Sequence, residues 1–532
     1  MKTKLKFIAL NLLFGISFLF GQENSNVELP QFVITGKEAY EFPQLEKQKP
    51  ELVSSVSEQF FKPVYSSDEL EVKEFSEPAK KSGEFLDSIS FINGEAEFLI
   101  GNNLLPSLSI TYRMPMERSM FSANINAVNQ RAFLPYADMN KFGAKLLYNY
   151  IISDSSSFLP FSKLQLSAKG ESESYKLFGS SLPSFNRKVS RVSVSTSLAN
   201  VTSNKFNYDL TLENNYLNMS NDSIKENLFK VNGFTKYSSK LFDLSLYGKY
   251  HLLQSTFLSL AAENFAFISA KGMCGFKFGN SVKTDFGFEY SKLDSNNSFY
   301  PYAAAAIQLW KGFSLFAEYH PTSLLITQYD LLNTNRYYIP TIAHKNIFYS
   351  ITSQYNFNFK YEYERLFEFT TGISLFSASN YPYFAQAASG VNDLVIDTAE
   401  VKATTVSASV RWFAGMYGFF SGSLLYQNIQ DTAGNTLPNI APLKASASYG
   451  YNISQGISLS AEMMYYSSPF INFANIEKGK DYFNLSLKGE MIISEKMFAQ
   501  LEFRNLLNAK NEIWKNYQEL PLTISAGLKI IW

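Results

Sequence analysis

The chain has 532 residues, of which 16% are aromatic and only 18% charged, with 48 Phe and 33 Tyr. Soluble domains average about 25% charged residues, so surface fit for water is in short supply. A mean hydropathy of -0.12 nonetheless excludes a bundle of membrane-crossing helices. The formal charge of +0 gives no footprint for nucleic acid, and one Cys with three His starves thiol and metal chemistry, so no cofactor or metal is expected.

Residues 1–21 read as an export signal. Lys2, Lys4 and Lys6 form a basic start, Phe7 to Phe20 an apolar stretch too short for a membrane span, and the small Gly21 precedes polar sequence. Cleavage is expected after Gly21.

Residues 22–93 change character. From Gln22 to Asp87 there are 14 Asp and Glu against 7 Lys and no Arg, punctuated by Pro30, Pro43, Pro50, Pro63 and Pro78. Proline interrupts helices and ladders, and like charges favour solvation, so this reads as an extended periplasmic arm, mostly disordered. Within it, Leu29, Pro30, Phe32, Val33, Ile34 and Thr35 form an apolar island able to dock on a partner by adding a strand or filling a groove. A linker with chance hydrophobes fits the same residues.

From Gly94 to Trp532 the dominant signal is alternation, which sends successive side chains to opposite faces of a strand. In Val282 to Tyr290 one face carries Val282, Thr284, Phe286, Phe288 and Tyr290, the other Lys283, Asp285, Gly287 and Glu289. Phe242, Leu244, Leu246 and Tyr250 likewise oppose Asp243, Ser245, Tyr247, Lys249 and His251. Runs of about 10 to 14 residues exceed the usual soluble strand and suit a tilted bilayer crossing. The turns separate about 20 to 22 such runs, more than one soluble sheet core holds but what a closed barrel needs. The expected fold is therefore an all-β transmembrane antiparallel β-barrel of about 22 strands, 20 being the other even count, over residues 94–532.

Short connections at Phe278 to Ser281, Ser454 to Gly456 and Ser494 to Lys496 predict tight periplasmic turns. Polar stretches at Asp294 to Asn297, Thr327 to His344 and Asn380 to Asp393 predict longer loops on the other side, and no helix is expected anywhere in this region. Tyr300 with Tyr302, Tyr337 with Tyr338 and Tyr465 with Tyr466 fit an interfacial aromatic girdle. In the closing run from Leu522 the even positions are apolar through Leu528, Ile530 and Trp532. An uncharged face of that kind at a terminal edge is an aggregation hazard in water, so these three residues are the candidate barrel-insertion signal.

Several stretches resemble the TonB-dependent receptors, ligand-gated outer-membrane importers. Leu437-Pro438-Asn439-Ile440-Ala441-Pro442 is similar to that family's lead-in to a late hairpin. Glu502 to Lys510, with Asn505-Leu506-Leu507-Asn508, followed by Glu512-Ile513-Trp514, is similar to its ending, with Leu507 where Phe is usual. Gly94 to Pro115 looks like its first barrel hairpin, and Leu29 to Gly36 resembles the stretch near its mature N-terminus, making that island a candidate TonB-box-like segment. The resemblance implies an outer-membrane barrel. It also implies a folded plug before the barrel, for which Lys37 to Asn93 is too short and too acidic, so the plug is expected to be missing. The lumen would then be filled by the arm, a partner or inward-folded loops.

Catalysis is not expected: His251, His320 and His344 are the only candidate imidazole bases and no nucleophile arrangement, phosphate loop or metal spacing accompanies them. Cys274 reads as a small apolar residue. Lys283, Arg411, Lys444, Lys488 and Arg504 fall on wet faces and are candidate lumen charges, open to the acidic arm or part of a mixed-charge wall. The expected role is passage, or help in passage, of a solute or polymer across the bacterial outer membrane, the rival being a scaffold barrel whose arm recruits a periplasmic partner. Expected partners are outer-membrane lipid, the barrel-insertion machinery and that periplasmic protein.

Overall fold

The computed structural model describes residues 92–532, apart from 153–158, 160, 201–204, 259, 280, 294–295, 311, 345–346, 365, 388–392, 414, 416–417 and 455. The export signal and the arm through residue 91, including Leu29, Pro30, Phe32, Val33, Ile34 and Thr35, lie outside the described residues.

The strands run in chain order. The first six are β1 (Gly94–Gly101), β2 (Ser107–Met116), β3 (Ser119–Gln130), β4 (Met139–Ile151), β5 (Ser162–Lys176) and β6 (Asn186–Asn200). Next come β7 (Phe206–Met219), β8 (Ile224–Ser238), β9 (Phe242–Thr256), β10 (Glu263–Phe278), β11 (Val282–Leu293) and β12 (Asn296–Trp310). β13 (Phe313–Tyr319) and β14 (Thr322–Ile326) precede the helix α1 (Gln328–Thr334), after which come β15 (Ile347–Tyr363), β16 (Phe367–Gln386), β17 (Leu394–Phe413) and β18 (Phe419–Asp431). β19 (Leu443–Ser454), β20 (Ile457–Tyr466), β21 (Tyr482–Ser494) and β22 (Met497–Arg504) lead to a separate hairpin of β23 (Glu512–Trp514) and β24 (Tyr517–Gln518), then to β25 (Thr523–Ile531).

Each barrel strand pairs antiparallel with its sequence neighbours. β13 and β14 both pair with β15, so they count as one strand interrupted at His320-Pro321, where proline has no N–H to give the ladder. The ring then has 22 strands. It closes where β1 meets β25, in register from Glu95 opposite Ile531 to Gly101 opposite Ser525. Gly94 and Trp532 exchange both backbone hydrogen bonds, at 2.9 and 3.0 Å. Closure removes the free edges that an open sheet would present. The end holding Gly94 and Trp532 is called the closing rim, the other the loop rim.

The apolar face of each strand is the outer one. On β11, Phe286, Phe288 and Tyr290 are 54%, 56% and 40% exposed while Glu289 between them is 5% exposed. On β25, Ile524, Leu528, Ile530 and the following Trp532 are exposed in the same way. An outer belt of this kind suits hydrocarbon and does not suit water. Cys274 lies on this outer face between Leu244 and Phe286 of the neighbouring strands. No helix among the described residues is long and apolar enough to cross a membrane.

The expected turns after Phe278, Ser454 and Ser494 all link strands at the closing rim. Three loop expectations need correction. Asp294 to Asn297 is not a long loop: β11 and β12 stay paired up to Leu293 opposite Asn296. Asn380 does not begin a loop, because β16 runs on to Gln386 across a register shift between Ala378 and Tyr381, with Asn380 at φ 57°. Thr327 to His344 does leave the barrel wall, but it contains α1. Nor do all the tyrosine pairs form a girdle. Tyr300 and Tyr302 lie opposite the exposed Phe299 and point inward, where Tyr300 meets the Ser323 hydroxyl at 3.0 Å.

Candidate functional site

At the loop rim, residues 327–344 turn into the ring instead of standing clear of it. α1 begins with a capping box in which Thr327 and Asp330 serve each other's backbone N–H. The two carboxylate oxygens of Glu226, on the inward face of β8, accept from the backbone N–H groups of Gln328 and Tyr329 at 2.9 and 3.0 Å. These are donors a helix start leaves unsatisfied, and an acidic partner suits them.

The other side of α1 is apolar. Leu331 and Leu332 pack with Tyr338 in a cluster containing Val189, Leu217, Met219 and Ile224 from one arc of the wall and Ile347, Phe384 and Ile396 from another. The segment therefore bridges two parts of the ring.

A buried arginine fixes the chain just beyond the helix. Arg187, at the start of β6 and 0% exposed, donates Nε and Nη2 to the Asp222 carboxylate at 2.9 and 2.7 Å. Its Nη1 donates to the backbone carbonyls of Arg336 and Tyr338 at 3.0 and 2.8 Å. Such a bidentate pair leaves one guanidinium nitrogen for the incoming chain. The Tyr175 hydroxyl donates to the same Arg336 carbonyl at 2.7 Å, and Tyr338 donates to the Gln328 side chain.

A second segment, 505–522, folds in to meet the first. Tyr517 of β24 stacks on Tyr337 with ring centres 4.0 Å apart, and Phe178 meets both edge-on at 5.1 and 5.7 Å. Trp514 meets Phe384 edge-on at 5.0 Å. Asparagines shape this segment: Asn505 and Asn508 adopt φ 51° and 50°, and the Asn505 amide donates to the carbonyls of Ala509 and Leu520. Asn439 does similar work in the Leu437 to Pro442 stretch, at φ 58° with its amide donating to the Phe384 carbonyl. The asparagines of both family-like stretches thus sit where a short amide side chain tolerates left-handed backbone.

Beneath these segments lies a cavity of about 490 Å³, within the ~300–1,000 Å³ of small-molecule sites. Its wall is charged: Lys141 meets Glu173 at 3.1 Å, Lys169 meets Glu171 at 3.1 Å and Arg191 meets Glu173 at 3.5 Å. Arg336, Tyr337, Trp514 and Glu519 close it from the loop side. Burial pushes the Glu519 carboxyl above its ordinary range, with Arg336 pulling the other way. Burial also raises the Tyr337 phenol to about 12, so it stays a neutral hydrogen-bonding group at physiological pH. Paired charges under a two-part cover make a polar compartment.

The candidate lumen charges stand on inward faces but in different settings. Lys283 pairs with Asp285 at 3.3 Å and Asp243 at 3.7 Å, Arg411 meets Glu368 at 3.9 Å, and Arg504 meets Glu502 at 2.9 Å. Lys488 meets Glu490 at 2.9 Å and reaches Glu97 and Glu502 at 3.8 and 3.9 Å. Lys444 lies over the Tyr466 ring at 5.8 Å. None of the five lines the cavity. Of the histidines, His251 meets the Asn232 side chain at 3.2 Å and His320 meets Glu289 at 3.1 Å. Of the residues that hold the cover, Arg187, Asp222, Glu226 and Tyr517 escape sequence reasoning, while Tyr337, expected in an interfacial girdle, instead stacks on Tyr517. The one local signal was the Thr327-to-Asp330 spacing of a capping box.

No family model matches the sequence, and no curated protein matches it. Solved structures do match in shape. The FrpB iron transporter from Neisseria meningitidis has a TM-score of 0.64 at 10% identity, covering 84% of this chain and 82% of that chain. The siderophore receptor PirA from Acinetobacter baumannii gives 0.61 at 10%, covering 84% and 81%. The copper transporter OprC gives 0.61 at 10%, covering 83% and 80%. At such identities the likeness shows the barrel fold.

Proposed function

We propose that this chain is an outer-membrane barrel that passes a solute or polymer through a lumen gated by its own loops. The observation that carries the reading is the pair of inward segments, 327–344 and 505–522, docked on the inward walls of a closed ring through Arg187, Glu226 and the Tyr337 and Tyr517 stack. A wide ring needs something in its bore, and these segments supply an occupant attached by polar anchors at one rim. The belt of outward Phe, Leu and Tyr supports a bilayer setting. The shape neighbours, named as an iron transporter, a siderophore receptor and a copper transporter, support carriage across that membrane. The residue-level resemblance to TonB-dependent receptors supports the same class. The shortness of Lys37 to Asn93 supports a member without the folded plug. In this reading residues 1–21 direct export, the closing rim and arm face the periplasm, and Leu528, Ile530 and Trp532 present the insertion signal to the assembly machinery.

The test is conductance in a planar bilayer, comparing mature protein with a variant in which 328–344 is replaced by a short Gly/Ser bridge. A quiet parent and a large steady pore in the variant are expected. If the variant, inserted and heat-modifiable on gels, is as silent as the parent, the loops do not gate a path and a scaffold barrel becomes the better description.

A further inference from the structure

The inner wall of the closing rim is not electrically uniform. Along β5 to β11 it and its turns carry Lys163, Lys205, Lys236, Lys240, Lys277 and Lys283, whereas the described carboxylates there are Asp209, Asp243 and Asp285. The centre of this sector is one aspartate shared by three lysines: Asp243 lies 2.7 Å from Lys277, 3.6 Å from Lys236 and 3.7 Å from Lys283. Lys283 also meets Asp285 at 3.3 Å; farther round the ring, Lys488 by itself lies within 3.9 Å of three carboxylates, Glu490, Glu97 and Glu502.

We propose that this lysine sector is the docking site, in cis, for the acidic stretch Asp68 to Glu77 of the same chain. That stretch carries Asp68, Glu69, Glu71, Glu74 and Glu77 against a single Lys73. Its charge complements the sector, and its tether leads to the right place, because β1 begins at Gly94 on the closing rim. A ring of 22 strands at ~4.8 Å spacing is roughly 35–45 Å across, and the ~15 residues between Glu77 and Ile92 extend to about 50 Å. Lipid headgroups also favour lysine, but Lys277 and Lys283 lie on the inward face, which lipid does not reach. Tethering multiplies the local concentration of the acidic stretch, so a modest charge attraction suffices.

The experiment is carbodiimide cross-linking of the full mature chain in detergent, with the new amide bonds mapped by mass spectrometry. Links from Asp68, Glu69, Glu71, Glu74 or Glu77 to Lys163, Lys277 or Lys283 are expected, falling at least tenfold in 0.5 M NaCl. Links absent, or spread evenly over lysines elsewhere on the chain, overturn the assignment. Trypsin cleavage after Lys73 gives a second reading: Lys277→Gln with Lys283→Gln should speed it about tenfold, and arginine at both positions should restore the slow rate. Should the glutamine pair fail to give a heat-modifiable barrel, Glu69→Gln, Glu71→Gln and Glu74→Gln leave the wall untouched and should speed cleavage equally. An unchanged rate in that triple variant refutes the docking.

Discussion

Replacing Arg187 by Met tests whether the loop-rim cover is held by polar anchors or merely by apolar packing. The side chain is buried, pairs bidentately with Asp222 at 2.7 and 2.9 Å, and donates to the carbonyls of Arg336 and Tyr338. Breaking one partner out of a buried pair costs about 3–5 kcal/mol because the other charge is left uncompensated. Two carbonyls also lose charge-assisted bonds worth about 1.5–3 kcal/mol each, although such losses overlap. Taking about 4 kcal/mol for the docked segment and about 1.4 kcal/mol per tenfold, opening should become ~10³-fold more frequent. Hydrogen exchange over Gln328 to Ile339 reads this directly, while heat-modifiable mobility reports that the ring persists. Adding Asp222→Leu removes the orphaned charge and should recover much of the protection. Protection in Arg187→Met within about threefold of the parent, with the ring intact, refutes the anchor.

Glu226→Gln keeps one acceptor oxygen but sets an amide NH2 against the other backbone N–H of Gln328 or Tyr329; it should cost about 2 kcal/mol of docking, read as roughly thirtyfold faster exchange confined to the first turn of α1. The raised Glu519 carboxyl gives the cover a pH dependence of definite sign: the closed form binds the proton more readily than the open one. Closure is therefore favoured most below the ordinary carboxyl range and weakens as pH rises through the raised value. Open-channel events should be more frequent at pH 8 than at pH 5, and Glu519→Gln should flatten that slope; a slope unchanged in the variant assigns it to another group. Tyr337→Ala removes the stack on Tyr517 and should cost about 0.5–1.5 kcal/mol beyond the buried area lost, seen as faster exchange in both segments together. At the seam, a Cβ on Gly527 would stand 2.0 Å from the Phe98 carbonyl oxygen of the paired strand. Gly527→Val should thus prevent registration of β25 with β1 and abolish the heat-modifiable band, whereas Gly170→Ala, where a Cβ meets nothing within 4 Å, should leave it intact.

How much could be read beforehand depends on the range over which each physical cause acts. Strand faces were legible because alternation is local: Phe286, Phe288 and Tyr290 differ from Lys283, Asp285 and Glu289 in any fold that keeps them extended. The terminal Trp532 and its alternating run marked the last strand for the same reason. Turn chemistry was less secure, since Asp, Ser and Asn serve a tight reversal and a long loop alike, which is why the Asp294 to Asn297 stretch misled. Nothing in the chain near Arg187 distinguishes it from any arginine on a wet face. Its partners lie 35, 149 and 151 positions away, and only closure of the ring brings them within reach. The tyrosines at 337 and 338 have the composition of an interfacial girdle, yet residues from β6, β7 and β16 surround Tyr338 and draw it into the bore. The amino-acid sequence thus determined by itself that the chain makes many two-faced strands with apolar sides outward. The tertiary structure decided which loops turn inward and which charges meet beneath them, because burial and pairing across the bore are set by neighbours distant in sequence.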